Sequence, residues 1–216
     1  MLNTEFPVMA HNHGGHCCGE EDHSHDDTEL GIQYSLYKHI DTENVECLNE
    51  TVDGSGKTIF KPWEDRLNKE KFVESDVDSE LLINIPFTSN IKLKGLRLIG
   101  GDSDSHPNRI KLFKNRPGMT FDDVNASPDQ EFELNQDSDA SIEYPIMAAK
   151  FSNVYHLTCY FPTNFGSDNT CLYYLGFRGE SSPLHRHGVT ICNYETTPSL
   201  ADHKVDNMNS VTRQIQ

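Results

Sequence analysis

Seven potential metal ligands crowd the start of the chain: His11, His13, His16, Cys17, Cys18, His23 and His25. Imidazole and thiolate are the donors that zinc, nickel or copper take. Nothing around them fixes a coordination geometry, so the tract is a compositional signal for metal handling rather than a built site. No cofactor is expected. Asp53-Gly54-Ser55-Gly56-Lys57-Thr58 ends like a phosphate loop, yet that pattern needs a glycine five residues before Gly56 and finds Thr51. It reads as a flexible turn. Gly101-Asp102-Ser103-Asp104-Ser105-His106 offers spaced oxygens for calcium but lacks the downstream Gly and Glu of an EF-hand loop. It reads as a solvated acidic turn. No Gly-x-Ser-x-Gly elbow is present, and Cys192 sits in an apolar stretch behind His185 and His187, where a buried inert thiol is the usual case. Catalytic residues are therefore expected to be absent.

These residues need elements to position them, and charge shows where the elements begin. The 216-residue chain has 18 Lys+Arg against 34 Asp+Glu, a formal charge of −16. Residues 1–37 contribute seven acids and no Lys or Arg, which leaves −9 on the rest. Residues 1–29 are nearly devoid of β-branched and aromatic side chains after position 9 and are expected to stay disordered. Residues 204–216 read as a second flexible tail. So acidic a chain repels the nucleic-acid backbone and anionic membranes, and no apolar run approaches the ~20 residues of a membrane span. With no basic and apolar leader at Met1–Ala10, the expectation is a soluble intracellular protein.

Between the tails the apolar period is two. Residues 109–112, 131–134 and 141–147 alternate. In 153–161 the set Tyr155, Leu157, Cys159 and Phe161 is expected on one face, and in 171–177 the set Cys171, Tyr173, Leu175 and Phe177. Residues 81–86 and 189–192 are further strands. Along Ile91–Ile99 the phase slips at Gly95, which predicts either a β-bulge or a strand buried on both faces. Turn formers separate these runs and no long amphipathic helix interrupts them. The pattern predicts an all-β chain, an antiparallel sandwich or jelly roll.

Several motifs carry a resemblance. Lys61-Pro62-Trp63-Glu64, Phe72-Val73-Glu74-Ser75-Asp76, Glu80-Leu81-Leu82-Ile83-Asn84-Ile85-Pro86-Phe87, Lys92-Leu93-Lys94-Gly95, Ser105-His106-Pro107, Phe151-Ser152-Asn153-Val154, Gly176-Phe177-Arg178-Gly179-Glu180 and Thr190-Ile191-Cys192-Asn193-Tyr194-Glu195 resemble the PITH domain family. The resemblance covers roughly residues 30–203, taken as the domain. It implies a galactose-binding-like β-sandwich jelly roll. It further implies a non-enzymatic interaction module that docks to the proteasome regulatory particle in cytoplasm and nucleus. Neither the sequence nor the resemblance fixes an oligomeric state, and a monomer is the expectation. The likeness is to the stand-alone form of the family, in which no thioredoxin domain is expected before the match. The alternatives are a small-ligand, glycan-type binder, with an aromatic-lined pocket at one loop end, and metal handling by the His/Cys tail.

The candidates for partner contact are Trp63, Arg178, His185 and His187. Trp63 is the only tryptophan and lies in a polar stretch. It is either an interface anchor or a loop side chain folded back over the core. Arg178 either projects from a loop or forms an internal ion pair. His185 and His187 follow Pro183 in a loop and are either solvated or in contact with a partner.

Overall fold

The computed structural model describes residues 29–183. The histidine and cysteine tract, His185, His187 and the strand expected at 189–192 lie outside the described residues. Eight strands follow one another: β1 Glu46–Leu48, β2 Val73–Glu74, β3 Leu81–Gly100, β4 Arg109–Lys114, β5 Gln130–Glu133, β6 Tyr144–Pro145, β7 Val154–Phe161 and β8 Cys171–Ser182. Every pairing is antiparallel. Among the described residues the helical pieces are a turn at 29–33 and five short 3-10 turns.

The strands form two layers with one member in common. β3 is 20 residues long, where the sequence suggested two strands at 81–86 and 91–99. Its first part lies between β1 and β7, and β7 continues the layer through β4 to β5. The register breaks between Pro86 and Ile91, and from Asn90 onward the same strand pairs with β8 and then β6. β2 closes the second layer on the far side of β8. Leu81, Ile83, Ile85, Leu96, Ile110 and Phe161 are among the side chains of the main core.

Two bulges set which side chains face inward. Lys94 is the extra residue between the Leu93↔Gly179 and Gly95↔Arg178 pairs, so the phase slip read at Gly95 is a bulge. A second interrupts β8: Ile99 pairs with Tyr174 but Gly100 with Leu172, which leaves Tyr173 unpaired. Leu172, Leu175 and Phe177 therefore share the main core, while Tyr173 packs with Tyr174 on the other side. The single face expected for Cys171, Tyr173, Leu175 and Phe177 is corrected by this shift. Tyr155 is likewise turned outward, 47% exposed, while Leu157, Cys159 and Phe161 stay inside. The Asn115 side-chain oxygen accepts the Tyr155 and His156 N–H groups (3.0 and 3.3 Å) where the β7 ladder begins. The alternation at 141–147 holds, since Ile142, Tyr144 and Ile146 pack inward, but only two residues pair. Pro145 has no N–H to extend the ladder.

Each layer also carries a patch on its outer face. Leu82, Phe113 and Tyr160 are covered by Met119 and Val124. On the second layer Ile99 and Tyr174 are covered by Tyr34, Trp63 and Ala140.

Candidate functional site

The loop that resembles a phosphate loop already holds an anion. Gly54 N–H and Gly56 N–H donate to the two oxygens of the Glu50 carboxylate (2.5 and 2.7 Å), and the Ser55 hydroxyl donates at 3.1 Å. Gly54 has φ +80°, which lets these donors converge. A Cβ at Gly56 would sit 2.5 Å from the Cβ of Cys47, so the turn is packed down on β1. The nest that would cradle a phosphate is filled by a side chain four residues upstream.

The Gly101–His106 segment is equally committed. The Asp102 carboxylate accepts from Lys69 at 3.0 Å. His106 is 1% exposed and lies against Gly100, where any Cβ would collide with the ring. Its Nδ1 is 2.7 Å from the Pro107 carbonyl, and its Nε2 accepts the Asp137 N–H at 3.2 Å. A carbonyl only accepts, so the proton sits on Nδ1 and the ring is neutral. The Asp137 carboxylate accepts from the backbone of Ile142 (2.7 Å) and Asp139 (3.1 Å), and these bonds hold it below the usual carboxylate range against the opposing cost of burial. Among the described residues no three His, Cys, Asp or Glu side chains are placed to hold a metal. The thiols of Cys47, Cys159 and Cys171 are free. Burial raises all three, Cys171 to about 11. A thiol that high is a poor nucleophile at neutral pH.

Trp63 and Arg178 belong to one network rather than to an exposed contact. Trp63 is 2% exposed. Tyr34 stacks on it at 5.2 Å between ring centroids, Tyr174 meets it edge-on at 6.3 Å, and the Arg66 guanidinium lies 4.0 Å above its ring. Arg97 donates to the Tyr34 hydroxyl (3.0 Å) and the Ala140 carbonyl (2.7 Å), and lies 3.7 Å from the Glu143 carboxylate. Arg178 donates to that same carboxylate through Nε at 2.7 Å and also through Nη2. Of the readings open for these two residues, the geometry is that of the folded-back tryptophan and the internal ion pair.

What the described residues do offer is a loop end. Asn49 ties the loop before Gly54 to the one after β2: its amide donates to Asp78 Oδ1 (2.8 Å) and the Glu80 carbonyl (2.6 Å), and its oxygen accepts the Val77 N–H (3.1 Å). Thr51 bonds the carbonyls of Glu74 and Ser75, each at 3.1 Å. Thr170 N–H donates to the Ser75 hydroxyl at 2.8 Å, and its own hydroxyl reaches the Ser79 carbonyl at 2.6 Å. The loops are thus braced by neutral side chains. Residues 46–56, 74–80 and 162–170 carry eight acids and no Lys or Arg.

Between the first of these loops and the segment leading into β2 runs a groove of about 410 Å3, lined by Thr51, Val52, Asp53, Phe72 and Glu74 among others. Val52 is 66% and Phe72 41% exposed. Phe72 is held edge-on by Tyr173, ring centroids 5.8 Å apart, and is the one aromatic in the lining. Val52 and Phe72 are not among the contact candidates that stand out in the sequence. The available signal was an apolar residue inside a run of turn formers, and a phenylalanine between Lys71 and the strand.

Comparison with known proteins agrees with the motifs. The PITH domain model matches residues 26–198. A PITH domain-containing protein of Drosophila pseudoobscura pseudoobscura is 58% identical over 211 residues, covering 96% of this chain and 98% of its own. PITH domain-containing protein 1 of Homo sapiens is 49% identical over 210 residues, 96% and 100% of the two chains. Among solved structures, the CBM32-1 and CBM32-2 domains of Clostridium perfringens ZmpB in complex with GalNAc superpose with a TM-score of 0.52 at 10% identity, over 72% of this chain and 39% of that one. That likeness is one of fold, the galactose-binding-like β-sandwich. With a family model spanning most of its length and relatives near half identical end to end, the chain belongs to the PITH domain family.

Proposed function

We propose that this protein is a non-catalytic docking module for the proteasome regulatory particle, acting as a monomer in cytoplasm and nucleus. The observation that carries the reading is family membership across residues 26–198, the family name denoting the proteasome-interacting module of a thioredoxin-like protein. The chemistry of the described residues supports it. Their thiols are raised by burial, their one buried histidine–aspartate pair is consumed by backbone hydrogen bonds, and their braced loops present a surface rather than a reaction centre. Rigid loops lower the entropy lost on association.

The test is quantitative co-purification of the intact protein and of a form lacking residues 1–28 from cell extract at moderate salt. Stoichiometric recovery of regulatory-particle subunits by both is the expected result. Repeated failure of the intact protein to recover them ends the reading. Recovery by the intact form alone moves the contact to the tail.

A further inference from the structure

The groove beside β2 has a carbon floor and a carboxylate rim. Val52 and Phe72 supply the floor; Val52 is 66% exposed, and Phe72, packed against Tyr173 at one edge, leaves 41% of its surface open. A Cβ built at Gly54 meets nothing within 4 Å, so one wall is bare backbone. Asp53, Glu70 and Glu74 line the groove against a single base, Lys71. Asp76 and Asp78 stand on the loop that Asn49 and Thr51 clamp alongside. Three neighbouring lysines outside the lining are engaged elsewhere: Lys57 donates to the Glu43 carbonyl (2.7 Å), Lys61 to the carbonyls of Asn68 (2.6 Å) and Lys71 (2.7 Å), and Lys69 to the Asp102 carboxylate (3.0 Å).

From this arrangement we infer that the groove takes a short segment of a protein partner, with one aliphatic or aromatic side chain between Val52 and Phe72 and Lys or Arg side chains against Asp53 and Glu74. The inference rests on the docking reading and names the chemistry of its contact. Charge decides among occupants. A second copy of the chain brings another −16, and residues 1–37 bring seven acids and no Lys or Arg. Nucleic acid and anionic membrane are repelled by the same rim. A cationic segment is drawn toward it, and burying its apolar side chain excludes water from the charge pairs that form. The bracing of the loops means the groove exists before the segment arrives.

The experiment uses the full 216-residue protein and a fluorescein-labelled heptapeptide, GFKKRKG, with GFEEDEG as its charge-swapped counterpart, read by fluorescence polarisation. Saturable binding of GFKKRKG that weakens with salt is expected. Phe72→Ala, which alters no charge, should weaken it about tenfold, and the pair Asp53→Lys with Glu74→Lys at least as much. Reversing two acids elsewhere, Asp122→Lys with Glu133→Lys, should change it by less than about twofold. Melting temperatures of the variants show that each is folded. Absence of saturable binding by the wild type overturns the inference. So does equal binding of GFEEDEG, or an equal loss in the Asp122/Glu133 variant, which would make the attraction one of diffuse charge. Groove variants that recover proteasome subunits as well as the wild type also overturn it, and leave the docking reading standing. A wild type that binds GFKKRKG through the groove but recovers no proteasome subunits does the reverse.

Discussion

Trp63 and Phe72 stand nine positions apart in one polar segment, and they meet opposite fates. Trp63 is enclosed by Tyr34, Tyr174 and two arginines: Arg97, bonded to the Ala140 carbonyl beside Glu143, and Arg66, bonded to the carbonyls of Trp63 and Asp139. Phe72 has Tyr173 at one edge and open groove on the other side. An aromatic among charges is thus not a docking anchor by virtue of its neighbours. What matters is whether those neighbours are satisfied around it and close over it. The first arrangement is an investment in stability and the second leaves a surface unfinished.

That contrast can be broken at four points. Trp63→Ala should be the most damaging, about 3–5 kcal/mol by analogy with large-to-small core changes, read as a fall in denaturation midpoint. A loss below about 1 kcal/mol would mean the ring is not part of the core. Glu143→Gln comes next. It leaves Arg97 and Arg178 with a neutral partner at side-chain exposures of 14% and 30%. We expect a loss of about 1.5–3 kcal/mol, the range for hydrogen bonds to charged groups. A double-mutant cycle with Arg178→Gln should show coupling between the two.

The third point is pH. Burial holds the His106 imidazole below its usual value, against the opposing pull of the Pro107 carbonyl and Asp137. His156 is lowered by burial too. The unfolded chain therefore binds protons that the folded one resists. Stability is fully present above the ordinary value of 6.5 and declines as pH falls through it toward the depressed folded values. Urea midpoints from pH 7.5 to 5 should fall, and His106→Gln should flatten part of the slope. A slope unchanged by that substitution would remove His106 as its source. Smallest is Phe72→Ala, which should cost under about 1 kcal/mol of stability because the ring is already partly in water. Its weight should fall on binding instead. A large stability loss there would collapse the distinction between the two aromatics.

Much of the fold was legible. Alternation at 109–112 and 131–134 needs only a period of two, and the slip at Gly95 marked a bulge. The bulge at Tyr173 left no comparable mark. Its neighbours Cys171, Leu172, Tyr174 and Leu175 are apolar in both phases, so the pattern tolerates either register. Tyr155 was misplaced because the β3 register shifts between the His156 and Val154 pairs, and an asparagine 40 residues away takes up the Tyr155 N–H instead. The site was harder to read. Glu50 filling the nest of Gly54 and Gly56 depends on a contact that spacing alone does not specify, and the burial of Trp63 on partners from residues 34, 66, 97 and 174. Two alternatives were open for Trp63 and Arg178 in the sequence, and tertiary packing chose between them.

The long β3 has a consequence for how the protein comes apart. A sandwich with separate layers can lose one and keep the other for a time. Here the same 20 residues are the spine of both, hydrogen-bonded to β7 at one end and β8 at the other. Fraying either layer from its outer edge leaves the spine paired, and removing the spine dissolves both layers at once. Amide hydrogens in the middle of β3 should therefore exchange only when the whole molecule opens, whereas those of β2 and β6, two residues each, exchange through small local excursions. The groove lies against β2, so its amides should exchange before those of the spine even though side-chain bonds brace the loops beside it.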